Sequence, residues 1–247
     1  MKQIVGGTLG SEAGELQTNF VSERPAAWYA ALYRRDALKG GHVILLGPGN
    51  ESEARSALVA YPGGLQVGGG VTLENALAWL DAGASHVIVT SWVFHGGAID
   101  WDRLKRLVAA IGKERLVLDL SCRRRGDAYW VVTDRWQKFT ETVVSCQTLD
   151  ALSAWCSEYL IHAVDVEGRC RGIDRDLVSR LGDWAPLPTT YAGGAKSIED
   201  LEEVTRLGQG KVDLTIGSAL DIFGGTGVRY VDAVAFNRQH EPSRAEP

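Results

Sequence analysis

Leu65-Gln66-Val67-Gly68-Gly69-Gly70, followed by Val71-Thr72-Leu73-Glu74-Asn75, has an echo about half a chain later. The echo is Tyr191-Ala192-Gly193-Gly194-Ala195-Lys196-Ser197-Ile198-Glu199-Asp200. Aligned without gaps, Gly68 falls on Gly193, Thr72 on Ser197, Glu74 on Glu199 and Asn75 on Asp200. Each copy reads as a short buried strand, a glycine turn and a helix opening at Thr72 or Ser197. Ala76, Leu77, Trp79 and Leu80 form the apolar face of one helix; Leu201, Val204 and Leu207 form that of the other. Gly83 and Gly208 follow as C-caps. Each copy then enters a strand that ends in small hydroxyl residues, at Thr90-Ser91 and at Gly217-Ser218.

A glycine turn lets backbone N–H groups approach a ligand closely, and the following helix N-terminus adds positive partial charge. Phosphate suits such a place. One glycine triplet is weak evidence, because any tight turn wants glycine. Two copies, each beside a hydroxyl-bearing strand end, point to a ligand with two phosphates held from opposite sides.

Bulk properties narrow the class. With 45% hydrophobic and 23% charged residues over 247 positions, the chain is an ordinary globule, one large α/β domain or two small ones. A net charge of −5 argues against a nucleic-acid surface, so phosphate binding must rest on local backbone fields. Cys122, Cys146, Cys156 and Cys170 have no metal-ligand spacing, so reduced thiols are expected, not a metal site or disulfide framework. No apolar run has membrane-span length and the N-terminus has no signal pattern, so the expected compartment is the cytoplasm.

In chain order, Gln3-Ile4-Val5 reads as half of a hairpin closed by Gly6-Gly7, and Ser11 to Asn19 as a polar loop. Helices are expected near Pro25, Glu51, Leu73, Trp101, Leu149, Asp174, Ser197 and Val228. Buried strands are expected near Val43, Leu65, Val87, Leu116, Tyr159, Thr189 and Val212, with His42 to Leu46 buried on both faces. Trp92 to Gly97 and the arginine run Arg123-Arg124-Arg125 read as loops, the latter either solvated or in contact with substrate. Tyr129 to Thr133 reads as a β excursion. The strand from Tyr159 runs to Val166, with Asp165 and Glu167 at its end. Residues 1–237 form one domain and residues 238–247 a polar tail.

Alternating strands and helices imply a parallel sheet covered by helices. A half-length repeat with a phosphate turn late in each half fits a (β/α)₈ barrel built from two half-barrels better than an open sheet. Eight helices but only seven strands are read. The repeat puts the missing one, with its own terminal residue, before Met1, so the chain is expected to lack the first barrel strand.

A family resemblance rests on Lys2 to Thr8, the Gln66 to Gly70 turn, Val89-Thr90-Ser91-Trp92 and Asp119-Leu120-Ser121-Cys122-Arg123. It rests also on Asp165-Val166-Glu167-Gly168, Tyr191-Ala192-Gly193-Gly194 and Asp221-Ile222-Phe223-Gly224-Gly225. These resemble the ProFAR isomerase family of histidine biosynthesis, in its eukaryotic-type branch. The resemblance implies a (β/α)₈ barrel, no metal or organic cofactor, and a substrate phosphorylated at both ends. It implies an Amadori rearrangement of an aminoaldose to an aminoketose, with two strand-end carboxylates as proton donor and base.

Asp119 matches the fifth-strand acid, the proton donor of the family. The first-strand aspartate, its base, would lie in the missing segment, so little turnover is expected of the chain from Met1. Gly70, Thr90 and Ser91 match the first phosphate site; Gly193, Gly194, Gly217 and Ser218 match the second. Trp136 matches a loop tryptophan that stacks on the imidazole, or else is a core or rim residue. Asp165 either orients substrate or the groups behind the substrate's contacts, or is a buried carboxylate hydrogen-bonded to nearby amides. Val164 stands where the bacterial-type motif has threonine. His42, His86 and His162 read as packed residues. The expected partners are a small bis-phosphorylated molecule, with no nucleic acid and no membrane, and the expected state is a monomer. Two other readings stand beside the isomerase: a non-catalytic phosphosugar-binding relative, and the sister cyclase, against which Thr90-Ser91-Trp92 and Leu120-Ser121-Cys122 argue.

Overall fold

The computed structural model describes residues 2–4 and 18–240. At the N-terminal side β1 (Lys2–Ile4) pairs antiparallel with β2 (Thr18–Val21), so the expected hairpin forms with a more distant partner than Gly6-Gly7 would give. Gly6-Gly7, most of the Ser11 to Asn19 segment and any strand before Met1 lie outside the described residues.

The βα alternation follows: α1 (Ala26–Arg35), β3 (Gly41–Ile44), α2 (Glu51–Ala60), β4 (Leu65–Gly68), α3 (Leu73–Asp81) and β5 (His86–Val89). A ribbon of β6 (Phe94–His95) and β7 (Ala98–Ile99) occupies the expected loop before α4 (Trp101–Ile111) and β8 (Leu116–Asp119). Three strands then leave the barrel as an antiparallel sheet: β9 (Cys122–Arg125), β10 (Ala128–Thr133) and β11 (Lys138–Val143). The second half continues with α5 (Cys146–Leu152), β12 (Glu158–His162), α6 (Arg175–Trp184), β13 (Thr189–Ala192), α7 (Glu199–Leu207), β14 (Val212–Thr215) and α8 (Tyr230–His240).

Seven strands form one parallel sheet in the order β14-β13-β12-β8-β5-β4-β3. Side chains alternate across it with period two. Val87, Val89, Leu116, Leu118, Tyr159, Ile161 and Tyr191 pack in the main core with Leu104, Leu107, Leu149, Leu177 and Leu181 of the helices. Ile88, Val117, Leu160 and Ala192, on the opposite face, form a separate buried cluster in the barrel interior. Both faces are therefore covered, which is why these strands are nearly continuous apolar runs. The helix layer closes from last to first: the Tyr33 and Tyr230 rings stack at 6.0 Å, and Tyr230 Oη donates to Asp36 Oδ2 at 2.9 Å. The fold is thus an α/β barrel of the (β/α)₈ type. Among the described residues its sheet has two edges, β3 and β14.

The strand at His42 to Leu46 departs from expectation. Among the described residues β4 is its one strand neighbour, and Ile44 and Leu46 are exposed rather than buried. Leu77 is also exposed, so the α3 face rests on Ala76, Trp79 and Leu80. The arginine run is strand β9 and not a loop, because its backbone pairs with β10 while its guanidinium groups point to partners in solvent. Helix α5 begins three residues before Leu149, where the Ser145 hydroxyl accepts from Thr148 N, and stops at Leu152. Helix α8 runs through His240, so the expected tail boundary at residue 238 falls inside a helix. Among the described residues no helix is long and apolar enough to cross a membrane.

Candidate active site at the strand ends

Asp119 closes strand β8, all four residues of which are buried. Alternation from Val117 turns its carboxylate into the barrel. Ser121 Oγ donates to Oδ1 at 2.7 Å, Thr90 Oγ1 donates to Oδ2 at 3.0 Å, and His162 Nδ1 lies 3.3 Å from Oδ1. Burial would raise the Asp119 pKa, but His162 and the two hydroxyls outweigh it and hold the carboxyl below its ordinary range. Burial likewise acts to lower the His162 pKa, and Asp119 outweighs it, so His162 titrates above its ordinary range. Across the barrel, burial and the proximity of His162 push His42 down to about 4. Burial raises the Glu167 carboxyl, with His162 opposing it.

The two glycine turns flank this cluster. In the first, Gly69 and Gly70 have φ of +90° and +69°, a region open to few side chains. Asn75 Oδ1 accepts from Thr72 N at 2.9 Å and shapes the start of α3. In the second, Gly193 and Gly194 have φ of +131° and +77°. Here Asp200 Oδ2 accepts from Lys196 N at 2.7 Å and Ser197 N at 3.3 Å, so the aligned residues Asn75 and Asp200 do the same work. A Cβ on Gly194 would collide with the Gly172 carbonyl, while one on Gly70 would meet nothing within 4 Å. A cavity of about 1080 Å³ is lined by Gly70, Thr90, Ser91, Asp119, His162, Gly217 and Ser218. A second, of about 60 Å³, is lined by Gly193, Gly194, Gly217, Ser218, Glu167 and His162. Backbone donors, hydroxyls and one ionised carboxylate thus share one rim. Among the described residues no cluster of three or more His, Cys, Asp or Glu side chains could hold a metal ion.

A family model described as histidine biosynthesis protein matches residues 14–227. The chain belongs to the histidine biosynthesis protein family. It is 54% identical to a Neurospora crassa protein named 1-(5-phosphoribosyl)-5-((5-phosphoribosylamino)methylideneamino) imidazole-4-carboxamide isomerase, over 97% of this chain and 94% of that one. It is 52% identical to a chloroplastic isomerase of the same name from Medicago truncatula, over 99% of this chain and 80% of that one. The isomerase of that name from Saccharomyces cerevisiae is 49% identical, over 97% and 94%.

In this member of the histidine biosynthesis protein family the remaining candidates divide. Trp136 reaches the site from the β10–β11 connection, where Asp134, Arg135 and Trp136 have φ of +51°, +58° and +66°. Asp134 N donates to Ser91 Oγ at 3.2 Å and anchors that connection beside the first glycine turn. The Trp136 ring packs on the His162 ring at 5.7 Å, so it is a rim residue of the larger cavity. Asp165 does not line either cavity. Strand β12 stops at His162 instead of running to Val166, and Asp165 turns toward β9, accepting from Arg123 Nε and Arg124 N at 3.0 Å each. Its side chain is 47% exposed and pairs with a guanidinium and one backbone N–H, so it is not the buried carboxylate that the sequence offered as one of its two readings. Arg124 and Arg125 lie over Tyr129 and Phe139.

His162 and Glu167 were not among the expected site residues, yet both line both cavities. The missed signal was parity. Counting by twos from Leu160, an interior residue, puts His162 on the Asp119 side of the sheet.

Proposed function

We propose that this chain is an aldose–ketose isomerase that carries out the Amadori rearrangement of ProFAR to PRFAR in L-histidine biosynthesis. The observation that carries this reading is a buried Asp119, hydrogen-bonded by Thr90 and Ser121, set on a large cavity between two glycine turns. Relatives about half identical over nearly the whole chain bear that isomerase name.

In this reading Gly70, Thr90 and Ser91 hold one phosphate, and Gly193, Gly194, Gly217 and Ser218 hold the other. The phosphates take no part in the bond changes. Their binding energy fixes the sugar between them and so offsets the entropy of aligning it. Ring opening needs a proton at the ring oxygen as the C1–O bond breaks and the amine nitrogen forms a C=N bond. A base then takes the C2 proton to give the enolamine, and a proton added at C1 as the C2 hydroxyl gives up its own forms the ketone. The Asp119 cluster carries the acid side of this sequence. Trp136 offers an aromatic face to the flat heterocycle. The enzyme works as a monomer on a small bis-phosphorylated substrate, in the cytoplasm, where its four free cysteines stay reduced. Cell fractionation separates that location from the plastid of the Medicago relative.

The test is twofold: conversion of ProFAR by the purified protein, and growth of a histidine auxotroph lacking the isomerase. Turnover with growth is the result that supports this reading. Binding of substrate without turnover, even at stoichiometric protein, would replace this reading by that of a phosphosugar-binding relative.

A further inference from the structure

The two glycine turns differ in how closed they are. Gly193 and Gly194 are buried, whereas Gly70 is exposed and a Cβ placed on it would meet nothing within 4 Å. Backbone N–H groups that face open solvent hold an anion weakly, because water competes for it and salt screens it. The first turn therefore lacks a wall on its open side.

The β10–β11 connection stands there. Asp134 N donates to Ser91 Oγ at 3.2 Å, so Arg135 follows directly on a contact with a hydroxyl of the first phosphate site. Asp134, Arg135 and Trp136 all have left-handed backbone, which costs any residue other than glycine conformational energy. Contacts hold two of the three side chains in place: Asp134 pairs with Lys138 at 2.8 Å, and Trp136 packs on His162. Arg135 is exposed, and among the described residues its guanidinium has no ion pair, hydrogen bond or ring partner. It nevertheless lines the large cavity together with Gly70 and Ser91.

Charge points the same way. Among the described residues the carboxylates of Glu51, Asp119 and Glu167 line this cavity, against the cations Lys39 and Arg135. Lys39 precedes β3, so it lies at the opposite end of the barrel strands from the glycine turns. At the strand ends the permanently charged cation is Arg135.

We infer that Arg135 is a further substrate-binding residue, its guanidinium closing the first glycine turn over the phosphate that Gly70, Thr90 and Ser91 hold. This rests on the isomerase reading, in which the substrate is phosphorylated at both ends. The planar fork donates two parallel N–H bonds to two phosphate oxygens, a geometry that the point charge of a lysine does not match. Trp136 is the next residue, so one connection supplies both the charge for the phosphate and an aromatic face at the rim.

The experiment titrates the full chain, Arg135→Gln, Arg135→Lys and Gly194→Ala with inorganic phosphate, by calorimetry and ³¹P NMR, and assays each with ProFAR. Arg135→Gln should lower one of the two phosphate affinities by about tenfold or more, the worth of a hydrogen bond between charged groups, and leave the other within about twofold. The weakened site should be the one that survives in Gly194→Ala. Arg135→Lys should fall between parent and Arg135→Gln, since it keeps the charge and loses the fork. In Arg135→Gln the KM for ProFAR should rise by about tenfold or more while kcat stays within about threefold, and KM should depend less on added salt. The urea midpoint should stay at the parent's value. Two unchanged phosphate affinities in Arg135→Gln overturn the proposal, as does an equal loss at both sites, a loss at the site that Gly194→Ala weakens, or a parent that binds phosphate at neither turn. A parent that binds phosphate at both turns but never converts ProFAR overturns the isomerase reading, and with it the substrate role of Arg135; an active parent with unchanged affinities in Arg135→Gln overturns this role alone.

Discussion

Gly194→Ala and Gly70→Ala add the same methyl group to two aligned regions, and the structure makes them unequal. Both residues have left-handed backbone, φ +77° and +69°, which costs an alanine about 1–2 kcal/mol. At Gly70 nothing lies within 4 Å of the added carbon. At Gly194 that carbon meets the Gly172 carbonyl and lies 3.1 Å from Val166 Cβ. Gly172 N also donates to Gly194 O at 2.8 Å, so relief of the clash must separate two paired backbones. Gly70→Ala should therefore cost stability of about 1–2 kcal/mol and leave its cradle in shape. Gly194→Ala should in addition displace N–H donors. Losing one hydrogen bond to a charged group is worth about 1.5–3 kcal/mol, or about 10- to 150-fold in affinity. Titration with inorganic phosphate, followed by calorimetry and ³¹P NMR, reads the two sites; urea unfolding reads stability. Parent-like phosphate affinity at both sites in Gly194→Ala would refute the second cradle. Equal binding losses in the two variants would refute the argument from close approach.

Asp119→Asn keeps shape but removes charge, and kcat should fall by about two to four orders of magnitude with a far smaller change in KM; steady-state activity within a few-fold of the parent removes Asp119 from the mechanism. Trp136→Ala should raise KM by about two- to tenfold, the worth of about 0.5–1.5 kcal/mol of stacking, and an unchanged KM refutes contact with the heterocycle. Stability should peak between the ordinary carboxylate and imidazole ranges. The depressed Asp119 contributes stability above 3.8 that is lost as pH falls through its folded value; the raised His162 contributes stability below 6.5 that is lost as pH rises through its folded value. His42, held at about 4, adds to the loss as pH falls from 6.5, because the unfolded chain takes up a proton that the folded one refuses. Urea midpoints across this range in the parent and in Asp119→Asn provide the check, and a parent whose stability keeps rising through the His162 titration contradicts the pairing.

The seven parallel strands and eight helices were legible because their signals are local. Leu116 to Leu118 read as a strand from an unbroken apolar run and Leu65 to Gly68 from its place before a glycine turn, and every residue of β8 and β4 is buried. The repeat located both glycine turns, and it carried real structure, since Asn75 accepts from Thr72 N and Asp200 from the aligned Ser197 N. Arg123 to Arg125 misled, because charge marks solvent exposure and not backbone state. The β9 backbone pairs with β10 whatever its side chains do. Leu77 misled for a related reason: an apolar residue beside a helix face can still point outward.

Sequence alone determined the barrel class, the two glycine turns and the placing of a carboxylate at the end of β8, because these follow from periodicity, glycine backbone freedom and an internal repeat. Only the tertiary structure decided what that carboxylate meets. His162 faces Asp119 because β12 pairs with β8 in a register that sets Leu160 beside Asp119, and no neighbouring residue in the chain encodes that register. Trp136 reaches His162 because a three-stranded excursion folds back over the strand ends, and Asp165 misses the cavities because Arg123, far off in sequence, draws it away. Contacts between distant segments depend on how strands pair and not on local preference, so the chemistry of the site emerged with the fold.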